Sequence, residues 1–337
     1  MWLSSRVHIF FEGHVQLATD MDETTSQQPH IEEILQEVQL KIREGLFTEA
    51  EERLESALEI DFEDTEVLAT LKCCKFWKER LPRFNEIHDE NERGEYLLRQ
   101  WRAFQEFLPR MEAPIERELF VLRKWVFGTA LVSFKRVIRT NEEPEAGLLL
   151  DIGRCYKLSG DFEKALEYLE SAGRKRRDDA EVLAEIADCY ALIDETKAAK
   201  AFFREAFFIN PQKIELAFLE SGLITRLIAR VRDMGYAEPV LKEWIPVYGV
   251  LLGVLNVKRE LRPLEYGKLK QSIYSLEKRI QEEGMDSENE SLIPRLLNRY
   301  FWLIDHYVNA HENREWVEEV LNKIKMIDEH IYTQYIN

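Results

Sequence analysis

The chain has 337 residues, 46 Lys and Arg against 63 Asp and Glu, and a formal net charge of −17. That balance excludes a general nucleic-acid binder, which needs a basic face, and disfavours docking on an anionic membrane. Charged residues at 32% and aromatics at 11% describe a folded, helix-compatible chain.

Met1 to Asp20 do not make a secretory signal, because the apolar run Val7–Phe11 is short and interrupted by His8, then followed by Glu12 and His14. Met21 is expected to be the true start, which makes residues 1–30 a disordered tail or a mis-assigned beginning; Asp22 to His30 is polar enough to stay unfolded. No run of 18 apolar residues occurs, so no spanning helix is expected. Ile31 to Asp64 reads as a degraded helical hairpin. Its Gly45, Phe47, Ala50, Leu54 and Ala57 anticipate Gly160, Phe162, Ala165, Leu169 and Ala172 further on. Thirteen acids against three bases between Ile31 and Glu66 make a solvated face. Thr65 to Arg80 supplies a following helix, and Pro82 breaks the pattern.

From residue 82 to 144 the pattern is half visible. A helix from Glu92 to Leu108 carries Tyr96, Trp101, Phe104 and Phe107. A longer one from Pro114 to Arg139 places Phe127, Ala130, Leu131, Phe134 and Val137 like the second helix of a divergent hairpin.

Ala146–Asp179 and Ala180–Lys213 then superpose column by column. Leu149 falls on Leu183, Ile152 on Ile186, Gly153 on Ala187, Cys155 on Cys189 and Tyr156 on Tyr190. Ala165 falls on Ala199, Leu169 on Phe203 and Ala172 on Ala206, and Pro211 closes the second copy. A period of about 34 residues with these columns resembles the tetratricopeptide repeat (TPR) family. Leu149, Ile152 and Tyr156 form one helical stripe, and Gly160-Asp161 ends one helix and caps the next. A hairpin of this size cannot bury its stripe alone, so copies stack into a solenoid. Tyr190→Ala is expected to cost about 3–5 kcal/mol if the ring is core.

Ile214 to Asp233 reads as one long amphipathic helix. Tyr236 to Val257 is apolar and expected to kink or split at Pro246. Another helix starts at Pro263 and runs to Gln281, Glu282 to Ser291 is a loop, and Pro294–Ala310 with Asn313–Tyr335 forms a final hairpin. The fold expected is all-α: a TPR-like helical-hairpin solenoid over residues 31–81 and 145–234, a divergent segment at 82–144, and a helical C-terminal region at 235–337.

No Gly-rich phosphate loop, HExxH, GxSxG or paired CxxC occurs, so no enzyme, cofactor or metal is expected. Cys73 and Cys74 are adjacent, while Cys155 and Cys189 lie far apart, which is neither a disulfide framework nor a zinc site. They suit a reducing compartment, the cytoplasm. His306 and His311 do not share a helix face, so an interhelix or surface hydrogen-bonding role is expected. Arg174 to Arg177 reads as a solvated helix end.

The family resemblance implies a scaffold that takes a partner protein or peptide on a concave groove lined by the first helix of each repeat. By helical phase the groove residues are Leu150, Arg154 and Lys157, then Asp188 and Ala191, then Phe218 and Thr225 from the flanking helix. Some relatives grip a chaperone's C-terminal carboxylate with Lys and Asn from one repeat and Lys and Arg from the next. This chain has Leu150 and Arg154, then Ala184 and Asp188, and so departs from that clamp. Arg154→Glu is expected to weaken partner capture with little loss of stability. The competing reading is a structural subunit, a homo-oligomer associating through the aromatic middle or Val247–Val257.

Overall fold

The computed structural model describes residues 30–111, 115–141, 143–283 and 290–337. The expectations for residues 1–29 and for most of the Glu282–Ser291 loop lie outside these. The chain divides into two units, Met1–Glu142 and Glu143–Asn337. Among the described residues every regular element is helical, as the 3.6-residue spacing of apolar positions dictates.

The first unit holds α1 (30–44), α2 (Phe47–Leu58), α3 (Thr65–Lys78), α4 (Leu81–Glu86), α5 (Glu90–Phe107) and α6 (Glu116–Arg139). Ile31, Ile34, Leu35, Val38 and Ile42 bury one stripe of α1. Asp64 and Asp89 cap α3 and α5 by accepting backbone N–H groups. Pro82 does not end α3 but opens α4, where a missing N–H costs nothing. The core is aromatic: Trp77 meets Trp101, Phe104 and Trp125, and Phe47 meets Trp125 edge-on at 4.7 Å. Phe127, Ala130 and Phe134 of α6 are fully buried.

The second unit opens with α7 (Ala146–Ser159), α8 (Phe162–Lys175), α9 (Ala180–Leu192) and α10 (Thr196–Ile209). Helices α7 and α8 form one antiparallel hairpin and α9 and α10 the next, with α8 packed on α9. Gly160 ends α7 at φ 87°, and Asp161 then caps α8 at Lys164. Gly153 is a contact point: a Cβ there would lie 2.6 Å from Cγ of buried Leu169. Ala165, Leu169, Ala172, Ala199, Phe203 and Ala206 are all fully buried, so small residues set the helix spacing and large ones fill it. Tyr156 is buried and stacks on Tyr168 at 5.5 Å, whereas Tyr190 is only half-buried beside Phe202. Tyr190→Ala therefore costs less than a core aromatic.

The C-terminal region departs from expectation in three places. Ile214–Asp233 is not one helix: two 3-10 turns, Pro211–Lys213 and Leu216–Phe218, precede α11 (Gly222–Asp233). The Asn210 side chain accepts the Gln212 amide and caps the first of these turns. Helix α12 (Val240–Leu251) continues unsplit through Pro246. After α13 (Pro263–Glu283) and α14 (Leu292–Asn309), the final segment is two helices, α15 (Arg314–Ile327) and α16 (Glu329–Ile336). They divide at Asp328, whose carboxylate caps α16 at His330 and Ile331. Apolar residues of α9, α10, α11, α12 and α14 share one continuous core.

All four cysteines are buried free thiols. Burial pushes Cys73 and Cys189 up from 9.0 to about 12. Unfolded thiols therefore release protons near pH 9 while folded ones hold theirs, so stability falls as pH rises from 9 toward 12. Native protein at pH 8 is expected to leave all four thiols unreacted with Ellman's reagent until it is denatured; rapid native labelling would contradict this. Gly153→Ala is expected to lose about 1–3 kcal/mol in urea melts, since Leu169 must yield in a packed site.

Candidate functional site

Helix α7 presents Arg154 and Lys157 three residues apart, and α9 presents Glu181, Glu185 and Asp188 at four- and three-residue intervals. These spacings keep each set on one helix face. Where the two faces meet, the charges interlock. Arg154 donates from Nη2 to Glu181 at 2.6 Å and from Nε to Glu185 at 2.7 Å. Lys157 Nζ lies 2.5 Å from Glu185 Oε2 and 2.6 Å from Asp188 Oδ2. Asp151 completes the cluster 3.4 Å from Arg154.

The side chains of Lys157 and Asp188 are fully buried, and that of Arg154 is 6% exposed. Burial works to discharge both cations, but the facing carboxylates outweigh it and hold Arg154 and Lys157 above their ordinary ranges. The buried centre is balanced: Arg154 and Lys157 face Glu185 and Asp188, while Asp151 and Glu181 keep partial contact with water.

The ladder also holds backbone. Lys157 Nζ donates to the Phe218 carbonyl at 2.9 Å. Asp188 accepts the amides of Glu220 and Ser221, each at 2.9 Å. The Arg154 guanidinium lies 4.5 Å from the Phe218 ring centre. Residues 218–221 are thereby pinned against α7 and α9, and this holds them out of an α-helix. Their polar groups are taken by buried charges that give a stronger hydrogen bond than a helix turn would.

Arg154, Lys157, Asp188 and Phe218 thus come together as an internal brace, Phe218 from a 3-10 turn and not from the flanking helix that was expected to carry it. Leu150 is buried apolar surface, and Ala191 and Thr225 are half-buried, Thr225 donating to the Ser221 carbonyl. The chain's own residues 218–221 lie where these side chains were expected to face a partner. The expectation for Arg154→Glu changes accordingly: a fourth carboxylate beside Asp151, Glu181 and Glu185 lowers the melting temperature. The matching acids Glu181 and Glu185 were missed, although their spacing on α9 signals a face complementary to Arg154 and Lys157.

A second feature lies between α9–α10 and α14. Leu183, Ala201, Phe202, Val257 and Trp302 line an apolar cleft of about 220 Å³. Its rim carries Arg259, bonded to Glu205 at 3.1 Å and Glu265 at 3.0 Å. Arg204 beneath it is engaged by the Leu255 and Val257 carbonyls and by Asp305. With the charges paired, the cleft offers apolar contact. His306 is interhelical: its Nδ1 accepts the Leu261 amide at 3.1 Å, whereas exposed His311 sits at φ 52°.

Residues 158–219 match the family model described as tetratricopeptide repeat. The match spans α8 to α10 and ends inside the pinned segment. No curated protein matches the chain.

Lys157→Met is expected to cost about 3–5 kcal/mol in urea denaturation, because two buried carboxylates and a carbonyl lose their partner. A loss under about 1 kcal/mol would mean that water replaces the ammonium.

Proposed function

We propose, from the premise that this is a tetratricopeptide repeat protein, that it acts as a non-enzymatic scaffold holding a partner polypeptide on its second unit. Tetratricopeptide repeats mediate protein–protein interaction. The observation that carries the finer reading is the apolar cleft at Leu183, Phe202 and Trp302, left open beside an inner face that residues 218–221 already fill. A cleft of about 220 Å³ walled by aromatic and aliphatic groups accepts one large apolar side chain, the anchor that dominates many interfaces. Of the seven residues expected to line a groove, Arg154, Lys157 and Asp188 serve this indirectly, by holding the segment that closes the inner face. The neutralised rim makes the anchor apolar rather than charged.

A second reading, self-association, is favoured by Tyr274, Trp316 and Met326, which are 68%, 44% and 88% exposed on α13 and α15. Light scattering over a concentration series separates the two.

Ala201 is exposed at the cleft mouth, so Ala201→Phe plugs the cleft without disturbing the core. This variant is expected to lose at least about tenfold of the wild-type retention of a captured partner, with stability within about 0.5 kcal/mol of wild type. Unchanged retention would remove the cleft from the interface.

A further inference from the structure

Helix α15 carries an exposed stripe that neither the charged ladder nor the apolar cleft uses. Trp316, Glu319, Lys323 and Met326 follow one another at intervals of three, four and three residues, which sets them on one side of the helix. The stripe borders the seam with α13, and a hollow opens in that seam at each end. The hollow by Trp316 is about 310 Å³ and is walled by Tyr266, Tyr274 and Tyr307. The hollow by Met326 is about 370 Å³ and is walled by Ile280, Leu296 and Ile327. Glu277 and Lys323 border both. Met326 stands out of the surface, 88% exposed, and an open apolar knob beside apolar hollows marks an interaction surface.

The stripe matches itself when turned end for end. Trp316 and Met326 lie ten residues apart, about 15 Å at 1.5 Å per residue. Glu319 and Lys323 sit between them, each three residues in from one end. A two-fold axis at the middle of α15 therefore brings Met326 of one copy to the Trp316 end of the other, and Glu319 to Lys323, each contact occurring twice. An isologous interface needs one patch that holds both knob and hole. The aromatic hollow suits this knob, because a thioether packs favourably against ring edges. The signs agree as well: the acid lies toward Trp316 and the base toward Met326, so the antiparallel arrangement opposes unlike charges and the parallel one like charges. Within its own copy Lys323 lies 3.1 Å from Glu277 and 3.6 Å from Glu319, which keeps the middle of the stripe from repelling its twin. Flanking ions are matched locally, Arg314 with Glu318 and Lys325 with Glu329.

We propose that α15 is the seam of a two-fold symmetric homodimer, in which Met326 of each copy fills the aromatic hollow beside Trp316 of the other. The proposal rests on the self-association reading and gives it a site, an orientation and a register. Met326 and Trp316 supply the apolar contact, and Glu319 and Lys323 fix the direction in which the two helices cross.

Light scattering on the full chain from about 1 to about 200 µM reads the mass, and a monomer that becomes a dimer across this range is expected. Met326→Glu, at a site too exposed to disturb folding, sets a carboxylate against an apolar hollow twice in each dimer and raises the dissociation constant at least about tenfold. Glu319→Lys opposes Lys323 with a second base, and Lys323→Glu opposes Glu319 with a second acid, so each variant alone stays monomeric. Mixed in equal amounts the two associate again, because every base then meets an acid. Phe120→Ser, also exposed but in the first unit, leaves the dimer unchanged. A chain still monomeric at about 200 µM overturns the self-association reading and this seam together, and leaves the face to another occupant. A dimer untouched by Met326→Glu, or charge variants that do not recover on mixing, leaves self-association standing and overturns this seam.

Discussion

The second unit depends on a balanced set of charges removed from water. Arg154 and Lys157 on one helix face Glu185 and Asp188 on the next, and the four are buried together. Taking ions out of water is costly, and their attraction repays this only when geometry is good and remaining hydrogen-bonding capacity is used. Here it is used on backbone: the Phe218 carbonyl takes one ammonium proton, and the Glu220 and Ser221 amides fill the Asp188 oxygens. A wholly apolar seam of α7 and α9 would hold two hairpins together equally well. It would not dictate where the chain goes after α10. The ions supply that direction, and the crossing segment fixes where α11 begins.

Stacked hairpins alone leave the inner helices facing water, and a TPR array uses that face for another polypeptide. In this chain the face at α7 and α9 is filled from within. The second unit also has an apolar cleft at the seam with α14, bordered by Trp302 and Phe202. The same economy appears in the first unit, where α6 reaches α1 through Gln39–Glu118 and Arg117–Glu32. Its buried stripe is committed to Trp77 and Phe47 through Trp125.

The hairpins were legible in the sequence because their signals are local. Leu149, Ile152 and Tyr156 keep helical spacing, Gly160 needs a left-handed backbone, and Ala165 and Ala172 mark close helix contact. Part of the charged ladder was legible too: helical phase put Arg154, Lys157 and Asp188 on facing sides of α7 and α9, while Glu181 and Glu185 were passed over and Phe218 was assigned to a helix that does not form. The burial of the ladder was not legible. Phase says which side of a helix a residue occupies, but not whether a later segment covers that side. Ile214 to Asp233 carries an unbroken amphipathic pattern, and only tertiary partners, Lys157 and Asp188, pull residues 218–221 out of it. The split at Asp328 was within reach, since an aspartate ahead of His330 and Ile331 is a capping signal, but the apolar spacing on either side hid it.

The grip on residues 218–221 has a consequence for how this loop tolerates change. Lys157 and Asp188 touch a carbonyl and two amides there, atoms that every residue other than proline supplies. The clasp is therefore blind to side-chain identity at Glu220. A connection lengthened or shortened by one residue can slide a different peptide group into the same hold, so that the join between the repeats and the C-terminal helices is written in geometry rather than in spelling.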